Sequence, residues 1–367
     1  MSTEPSHKPS SLPLYGPIPK IERQRSHHRF LWAVRPPVVM VDLIHASRIV
    51  MYDEPFFPPE TQVILTSTIS DAALAEFSFV DELQIINRLE PDYVIPFDFP
   101  VYGDMDAEER QENIRQILQG TIDMDYLFGE LSPGEIDQVV DETEIPRECL
   151  SESKGPVVIP LIKGSTKEER EQFYSVIKTL NPPFIAKYGV QYMTIGGGGG
   201  YPALRRDIET IEEEFDGYPL IVIGLLSPSG KYSLEGLPDS VIGGAGLNQW
   251  VNRIAPKSRR TSEMQNRYEE FTKAVCEGVS LPPNYSAQFG PDGGSTRPEL
   301  EINRGVSVGD DLTPSLSGAS EEGGYGFGER KRDPGAMGPA EAGQIGGKQP
   351  APSRNTTQED ETGDSNG

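Results

Sequence analysis

Apolar and amphipathic segments alternate along most of this chain, from residue 38 to about residue 278. The apolar segments are short, rich in β-branched residues and hydrophobic at consecutive positions, which is typical of strands buried on both faces of a parallel sheet. The amphipathic segments repeat apolar residues every three or four positions, which predicts helices. The pattern predicts strands at 38–44, 63–69, 93–99, 157–162, 191–195, 220–226 and 240–244, and helices at 72–89, 107–118, 167–180 and 201–215.

This alternation predicts an α/β fold. Seven or eight strand–helix units favour a (β/α)8 barrel of the TIM type, while spacing alone leaves an open doubly wound sheet as the alternative. We expect the barrel at 38–280, after a basic, proline-rich segment at 1–37. The stretch 120–155 reads as a long acidic insertion with a short helix near 133–140. The last segment, 281–367, is acidic, rich in Gly, Ser and Pro and poor in large apolar residues, so we expect it to be disordered.

Composition narrows the class of protein. Asp and Glu number 57 against 33 Lys and Arg, giving a formal net charge of −24. The acids are spread along the chain, which favours a halophilic source where salt screens self-repulsion. Two cysteines, Cys149 and Cys276, exclude a disulfide framework and a cysteine zinc cluster. The longest apolar run, 219–226, is too short to span a bilayer, so we expect a soluble, cytoplasmic protein with no membrane partner.

Five consecutive glycines, 196–200, follow one predicted strand and precede a predicted helix. At such a junction a chain without side chains can bring its backbone close to a ligand. An ordinary tight turn is the alternative. The run matches neither the dinucleotide-binding nor the P-loop glycine pattern.

Polar residues accompany the predicted strands, and a barrel places its functional groups at the carboxyl ends of its strands. Each residue also has a simpler interpretation, as a buried acid bonded to backbone N–H groups, a surface lysine or a turn residue. Together they favour a site, because unrelated structural acids have no reason to gather at one end. The candidates are Asp42, Asp98, Lys163, Gly196, Gly197 and Asp239.

The order of these segments resembles the tRNA-guanine transglycosylase superfamily, including its relatives that insert 7-deazaguanines into DNA. The likeness covers about residues 38–255. It implies that Asp42, in MVDLIHAS, is the general acid/base and that Asp239 is the nucleophile. It also implies that Asp98, in PDYVIPFD, recognises the base together with the backbone of Gly196 and Gly197.

This chain departs from the family pattern at three places. No Ser-Gly-Gly follows Asp42, Lys163-Gly164 stands where the family has Gln-Gly, and the segment around Asp239 is not a clean match. The family's cysteine and histidine zinc site is absent as well. The resemblance therefore implies neither a metal nor a cofactor.

The resemblance implies a pentosyltransferase that exchanges guanine for a 7-deazaguanine base. Such an exchange passes through an oxocarbenium-like state, which a carboxylate nucleophile can trap while a second carboxyl group handles the proton. The missing zinc site, and the lack of an added RNA-binding domain, favour DNA over tRNA as substrate. The base must be exposed or flipped out of a duplex before it can react.

Basic residues cluster before the first predicted strand and again after the segment around Asp239, and we expect both clusters to bind nucleic-acid phosphates. The first cluster consists of Lys20, Arg23, Arg25, Arg29 and Arg35, with His27 and His28. A solvated, salt-bridged face is the alternative interpretation. Two other functions stay open: a different barrel lyase or hydrolase that acts on a phosphate-bearing small molecule through Lys163, and a non-catalytic acidic binding protein. The predicted nucleic-acid-binding residues are Arg253, Lys257, Arg259 and Arg260.

Overall fold

In a computed structural model of the chain, nine parallel strands form one sheet. The structure describes residues 14–279 except 53, 165, 194–199, 216–217, 231 and 258–259. The parallel sheet of nine strands, with helices between them, confirms the predicted α/β class and the predicted parallel sheet. The strands are β1 (Gly16–Ile21), β2 (Val38–Asp42), β3 (Gln62–Thr66), β4 (Tyr93–Ile95), β5 (Val157–Val158), β6 (Leu161–Ile162), β7 (Ile185–Tyr188), β8 (Leu220–Ile223) and β9 (Val241–Gly246).

The strand order is β5-β4-β3-β2-β1-β9-β8-β7-β6, so the two end strands are consecutive in the chain. Only Ile159 and Pro160 separate them. The Ile159 N–H donates to Val94 O on β4 (2.8 Å), and the Ala186 N–H on β7 donates to Pro160 O (2.9 Å). The segment 157–162 therefore contacts β4 at its start and β7 at its end.

Helices connect the strands and cover one face of the sheet. Alternate strand residues, such as Val39 and Val41, pack against helical residues such as Phe30 and Leu83. The helices are α1 (Arg25–Val34), α2 (Leu43–Ile49), α3 (Asp71–Leu74), α4 (Phe79–Leu89), α5 (Ala107–Leu127), α6 (Pro133–Glu142), α7 (Lys167–Leu180), α8 (Val190–Met193), α9 (Gly200–Phe215), α10 (Asn248–Ile254) and α11 (Thr261–Cys276), with a 3-10 turn at Arg147–Cys149.

The opposite face of the sheet has a core of its own. Residues from all nine strands, including Ile18, Met40 and Ile221, pack there against one another, without helices between them. Because side chains alternate along a strand, each strand supplies one set of residues to the helices and the other set to this second core.

Two strands differ from the sequence-based expectation. β1 lies within 1–37, before the expected start of the barrel, and pairs with both β2 and β9. The apolar pattern did not predict β1 because the strand contains Pro17 and Pro19, and proline argues against a central strand. β7 was missed because Lys187 interrupts its apolar pattern. The described part of the expected strand at 191–195, residues 191–193, belongs to α8.

The insertion expected from residue 120 is shorter than predicted. α5 continues to Leu127, and Gly120 is buried within it, because Ile122, Met124 and Leu127 extend its apolar face into the core. The predicted helix near 133–140 is present as α6. The expected disordered tail at 281–367 lies outside the described residues. No helix in the described part of the chain is both long enough and apolar enough to cross a membrane.

Glycines in β9 allow close backbone packing beside β1 and β8. A Cβ atom on Gly243 would overlap Leu14 O and lie 2.9 Å from Gly16 O. We predict that Gly243→Ala lowers the free energy of unfolding by about 1–3 kcal/mol, the usual cost of overpacking. The control is Gly134→Ala in α6, where a Cβ meets nothing within 4 Å. Urea denaturation measures the free energy of unfolding of both variants. Equal values for the two would contradict the overpacking at Gly243.

Candidate functional site

Polar side chains cap the second core at the carboxyl edge of the sheet. On five strands, the residue two positions beyond an apolar core residue is polar, and residues two apart face the same side. The apolar core residues are Ile18, Met40, Ile64, Leu161 and Ala186, and each polar residue stands two positions later in the chain. We call the set the polar layer; it consists of Lys20, Asp42, Thr66, Lys163 and Tyr188.

Asp42 ends β2 and caps α2. Its Oδ1 accepts the His45 backbone N–H at 3.0 Å, and its Oδ2 lies 3.2 Å from Lys20 Nζ. The Lys20 ammonium also donates to Thr68 O at 3.3 Å. One carboxylate oxygen therefore serves the structural role of a helix cap, while the other faces a cation from β1.

Asp98 and Lys163 form a second, more deeply buried ion pair. The Lys163 ammonium donates to the Asp98 carboxylate and to Phe99 O (2.5 Å). The exposed fractions of the whole residues are 9% for Asp98 and 4% for Lys163. Desolvating two charges offsets most of their attraction, so a buried pair is weak evidence for a stabilising role.

Tyr188 places a hydroxyl in the same layer. Burial, followed by the nearby Asp98 and Asp71 carboxylates, raises the pKa of Tyr188 well above its usual value. The phenol therefore stays protonated at neutral pH and can donate a hydrogen bond. Asp71 begins α3, after β3, and adds a third carboxylate near this part of the carboxyl edge.

A further charged cluster lies behind the layer, between β7 and α9. Lys187 is fully buried, with Nζ 3.4 Å from Asp207 Oδ2. Asp207 also lies 3.7 Å from Arg170 Nη2 and accepts the Tyr192 hydroxyl. Burial lowers the pKa of Lys187 to about 8, although Asp207 opposes the shift. The apolar pattern did not predict this cluster, as it did not predict β7; the feature that could have revealed both is a lysine directly after the short apolar run at 184–186.

Asp239 lies at the opposite edge of the sheet from Asp42 and Asp98. It is exposed, in the turn that precedes β9, and the neighbouring Ser240 O accepts the Leu220 N–H at the start of β8. In a parallel sheet, a residue before a strand lies at the amino edge. The structure therefore does not bring Asp239 into the polar layer. The chain after β9 reads Leu-Asn-Gln, without an acid.

The other predicted residues are placed only in part. Gly196, Gly197 and Arg259 lie outside the described residues. Arg253, Lys257 and Arg260 are exposed, on α10 or in the connection to α11. Within the described ranges, no group of three or more His, Cys, Asp or Glu side chains is arranged to hold a metal ion.

Neither a protein-family model nor a curated protein sequence matches this chain.

Removing one member of the buried pair leaves the other charge without its partner. We predict that Lys163→Met lowers the free energy of unfolding by about 3–5 kcal/mol. Adding Asp98→Leu restores most of that loss, because no carboxylate then remains buried without a cation. Chemical denaturation of the wild type, both single variants and the double variant gives the coupling energy. Additive losses would show that the pair is not coupled.

His27 is connected to Lys20 through the ring of Trp250. Its Nδ1 accepts the Glu22 backbone N–H at 2.9 Å, and its ring lies 4.9 Å from that of Trp250. The Trp250 indole in turn donates to Lys20 O at 3.0 Å. Burial lowers the pKa of His27 to about 4, although Glu22 opposes the shift.

This pKa makes a prediction about acid stability. Unfolded histidine takes up a proton below about pH 6.5, whereas folded His27 stays neutral until about pH 4. The unfolded state therefore binds more protons between these values, and the contribution of His27 to stability falls by about 3 kcal/mol as the pH drops across this window. His27→Asn keeps an acceptor but cannot titrate. Its unfolding free energy should depend less on pH; parallel acid profiles would contradict the assignment.

Proposed function

We propose that this chain is a base-exchanging transglycosylase, which replaces guanine in nucleic acid, preferably DNA, with a 7-deazaguanine base. The observation that supports this most is the presence of two carboxylates, Asp42 and Asp98, at one edge of the sheet, each beside a lysine. Glycosidic exchange requires a carboxylate nucleophile and a separate proton donor close to it.

We also propose that the sheet closes into a (β/α)8 barrel. β5 and β6 would then be two halves of one strand, interrupted where Pro160 cannot donate a hydrogen bond. The bonds of Ile159 to β4 and of Pro160 to β7 support this closure. So does the second core, whose residues come from every strand. The polar layer would then lie at the barrel mouth, where enzymes of this fold have their active sites.

Asp98 is the proposed reader of the base. A carboxylate can accept two N–H bonds from the face of a guanine-type base. In this structure the Lys163 ammonium donates a hydrogen bond to the Asp98 carboxylate. An N–H group of the base therefore has to replace that bond. Phe99 O keeps the displaced ammonium within reach of the base.

Asp42 is the proposed nucleophile, in place of Asp239. Its carboxylate attacks C1′ of the sugar, the bond from C1′ to the base breaks, and the electron pair leaves with guanine. Lys163 gives its proton to the departing nitrogen. In the second half, the Lys163 amine takes the proton from the incoming base, whose nitrogen attacks C1′ and releases Asp42. Bonds and protons balance over the two halves.

We predict that wild-type protein forms a covalent adduct with DNA that denaturation traps, and that Asp42→Asn abolishes it. Asp239→Asn is the matched control, because that residue lies at the opposite edge, and it should form the adduct at the wild-type level. Asp98→Asn should change which base is accepted, since an amide also donates. Exchange is measured as release of labelled guanine from DNA on addition of a 7-deazaguanine.

An adduct that persists in Asp42→Asn, or that maps to another acid, contradicts the nucleophile assignment.

The two lysines of the polar layer favour one other candidate, a lyase acting on a phosphate-bearing carbonyl compound. In that case Lys163 forms a borohydride-reducible adduct with the carbonyl substrate, and no guanine is released. If the protein forms no adduct and exchanges no base, a non-catalytic binding protein is favoured.

A further inference from the structure

A shallow cleft beside the start of α1 is lined by three basic residues and by neutral donors. Two separate segments form it: the first turns of α1 and the connection between α10 and α11. The Arg29 guanidinium joins them by donating to Pro256 O. Among the described residues, the cleft is lined by Gln24, Arg25, Ser26, Arg29 and Lys257, none of which is acidic.

The positive charge of this cleft is not compensated within the described residues. Arg25 and Lys257 are exposed and form no ion pair there. The closest acid along the chain, Glu22, is engaged with Gln24 and lies 3.8 Å from His45 Nε2. On a chain with a net charge of −24, a group of cations without acidic partners is unusual. Such a group lowers its electrostatic energy by binding an anion.

The geometry suits a chain of phosphates better than one small anion. Arg25 and Arg29 are four residues apart and so lie on one face of α1, about one helical turn from each other. Lys257 comes from the other wall of the cleft. Guanidinium groups bind phosphate oxygens in pairs, whereas lysine acts as a point charge. α1 also begins without an acid in its first turn and without a side-chain cap from Gln24, which leaves its amino end positive.

The cleft adjoins the polar layer. Three residues separate the end of β1 from the start of α1, and Lys20 belongs to β1. Trp250 joins the two places, because its indole donates to Lys20 O while its ring packs on His27 and Phe30 of α1. A strand held in the cleft would therefore have its neighbouring nucleotides beside Lys20 and Asp42.

We infer that this cleft binds the phosphodiester backbone of the nucleic acid whose base enters the polar layer. The inference rests on the proposed function for the identity of the ligand. It places Arg25 and Arg29, from the basic cluster before the first predicted strand, on the same surface as Lys257 from the second cluster.

The test compares two double variants that remove the same charge. Arg25→Gln/Lys257→Gln alters the cleft but spares Arg29, which also bonds to Pro256. Lys178→Gln/Lys273→Gln alters exposed lysines near the carboxyl ends of α7 and α11. Fluorescence anisotropy measures binding of a labelled DNA oligonucleotide across a salt series. Losing two phosphate contacts lowers the slope of log K against log salt by about 1.8 for duplex DNA or about 1.4 for a single strand. We expect that loss in the cleft variant only.

Equal slopes in the two variants, or a wild type that does not bind DNA, would overturn the inference. Competition by RNA of the same sequence and by inorganic phosphate tells a polynucleotide site from a site for one phosphate, and tight binding of phosphate alone would also overturn it. Base exchange is assayed separately in the wild type. DNA binding with the expected slopes but without exchange would leave the cleft in place and reject the proposed function.

Discussion

Parallel strand direction is the constraint on which the candidate site depends. When every strand runs the same way, the residues that end the strands collect at one edge and those that precede them collect at the other. This polarity brings Asp42, Asp98 and Lys163 to the carboxyl edge although more than 120 residues of sequence separate the first from the last. The same polarity keeps Asp239 away. One geometric rule therefore selects the candidate acids more strictly than any motif does.

The polar layer and the adjoining Asp98 balance their charges locally. Lys20 faces Asp42 and Lys163 faces Asp98, so each carboxylate has one cation in contact. Apolar residues of similar volume would cost less to bury at such positions than two desolvated charges. Both pairs lie at the end of an apolar core, and the pair of Lys163 and Asp98 is the more deeply buried of the two. This position makes the layer a better candidate for chemistry than the charged cluster around Asp207, which lies on the helix-facing side.

Several helices were predictable because their patterns are local. α7 begins and ends where the apolar period of 167–180 predicts, and Thr166 and Glu169 form the capping box at its start. Other helices were predicted less well: the segment 72–89 divides into α3 and α4, α5 extends beyond 118, and α11 was not predicted. The two missed strands have six residues or fewer, a length at which the pattern carries little information. β1 contains two prolines and β7 contains a buried lysine, and both lie inside the sheet because their neighbours supply the missing partners. Tertiary pairing overrode local preference at both places.

The sequence by itself determined the fold class, helices such as α6, α7 and α9, and the nomination of Asp42, Asp98 and Lys163, because apolar runs that end in a polar residue are visible without coordinates. Only the tertiary structure decided which groups meet. Lys20, which pairs with Asp42, and Tyr188, which lies near Asp98, come from other strands, and the cleft joins α1 to a segment more than 200 residues later. The physical reason is that strand register and direction, which no single segment encodes, set the distance between side chains that are remote along the chain.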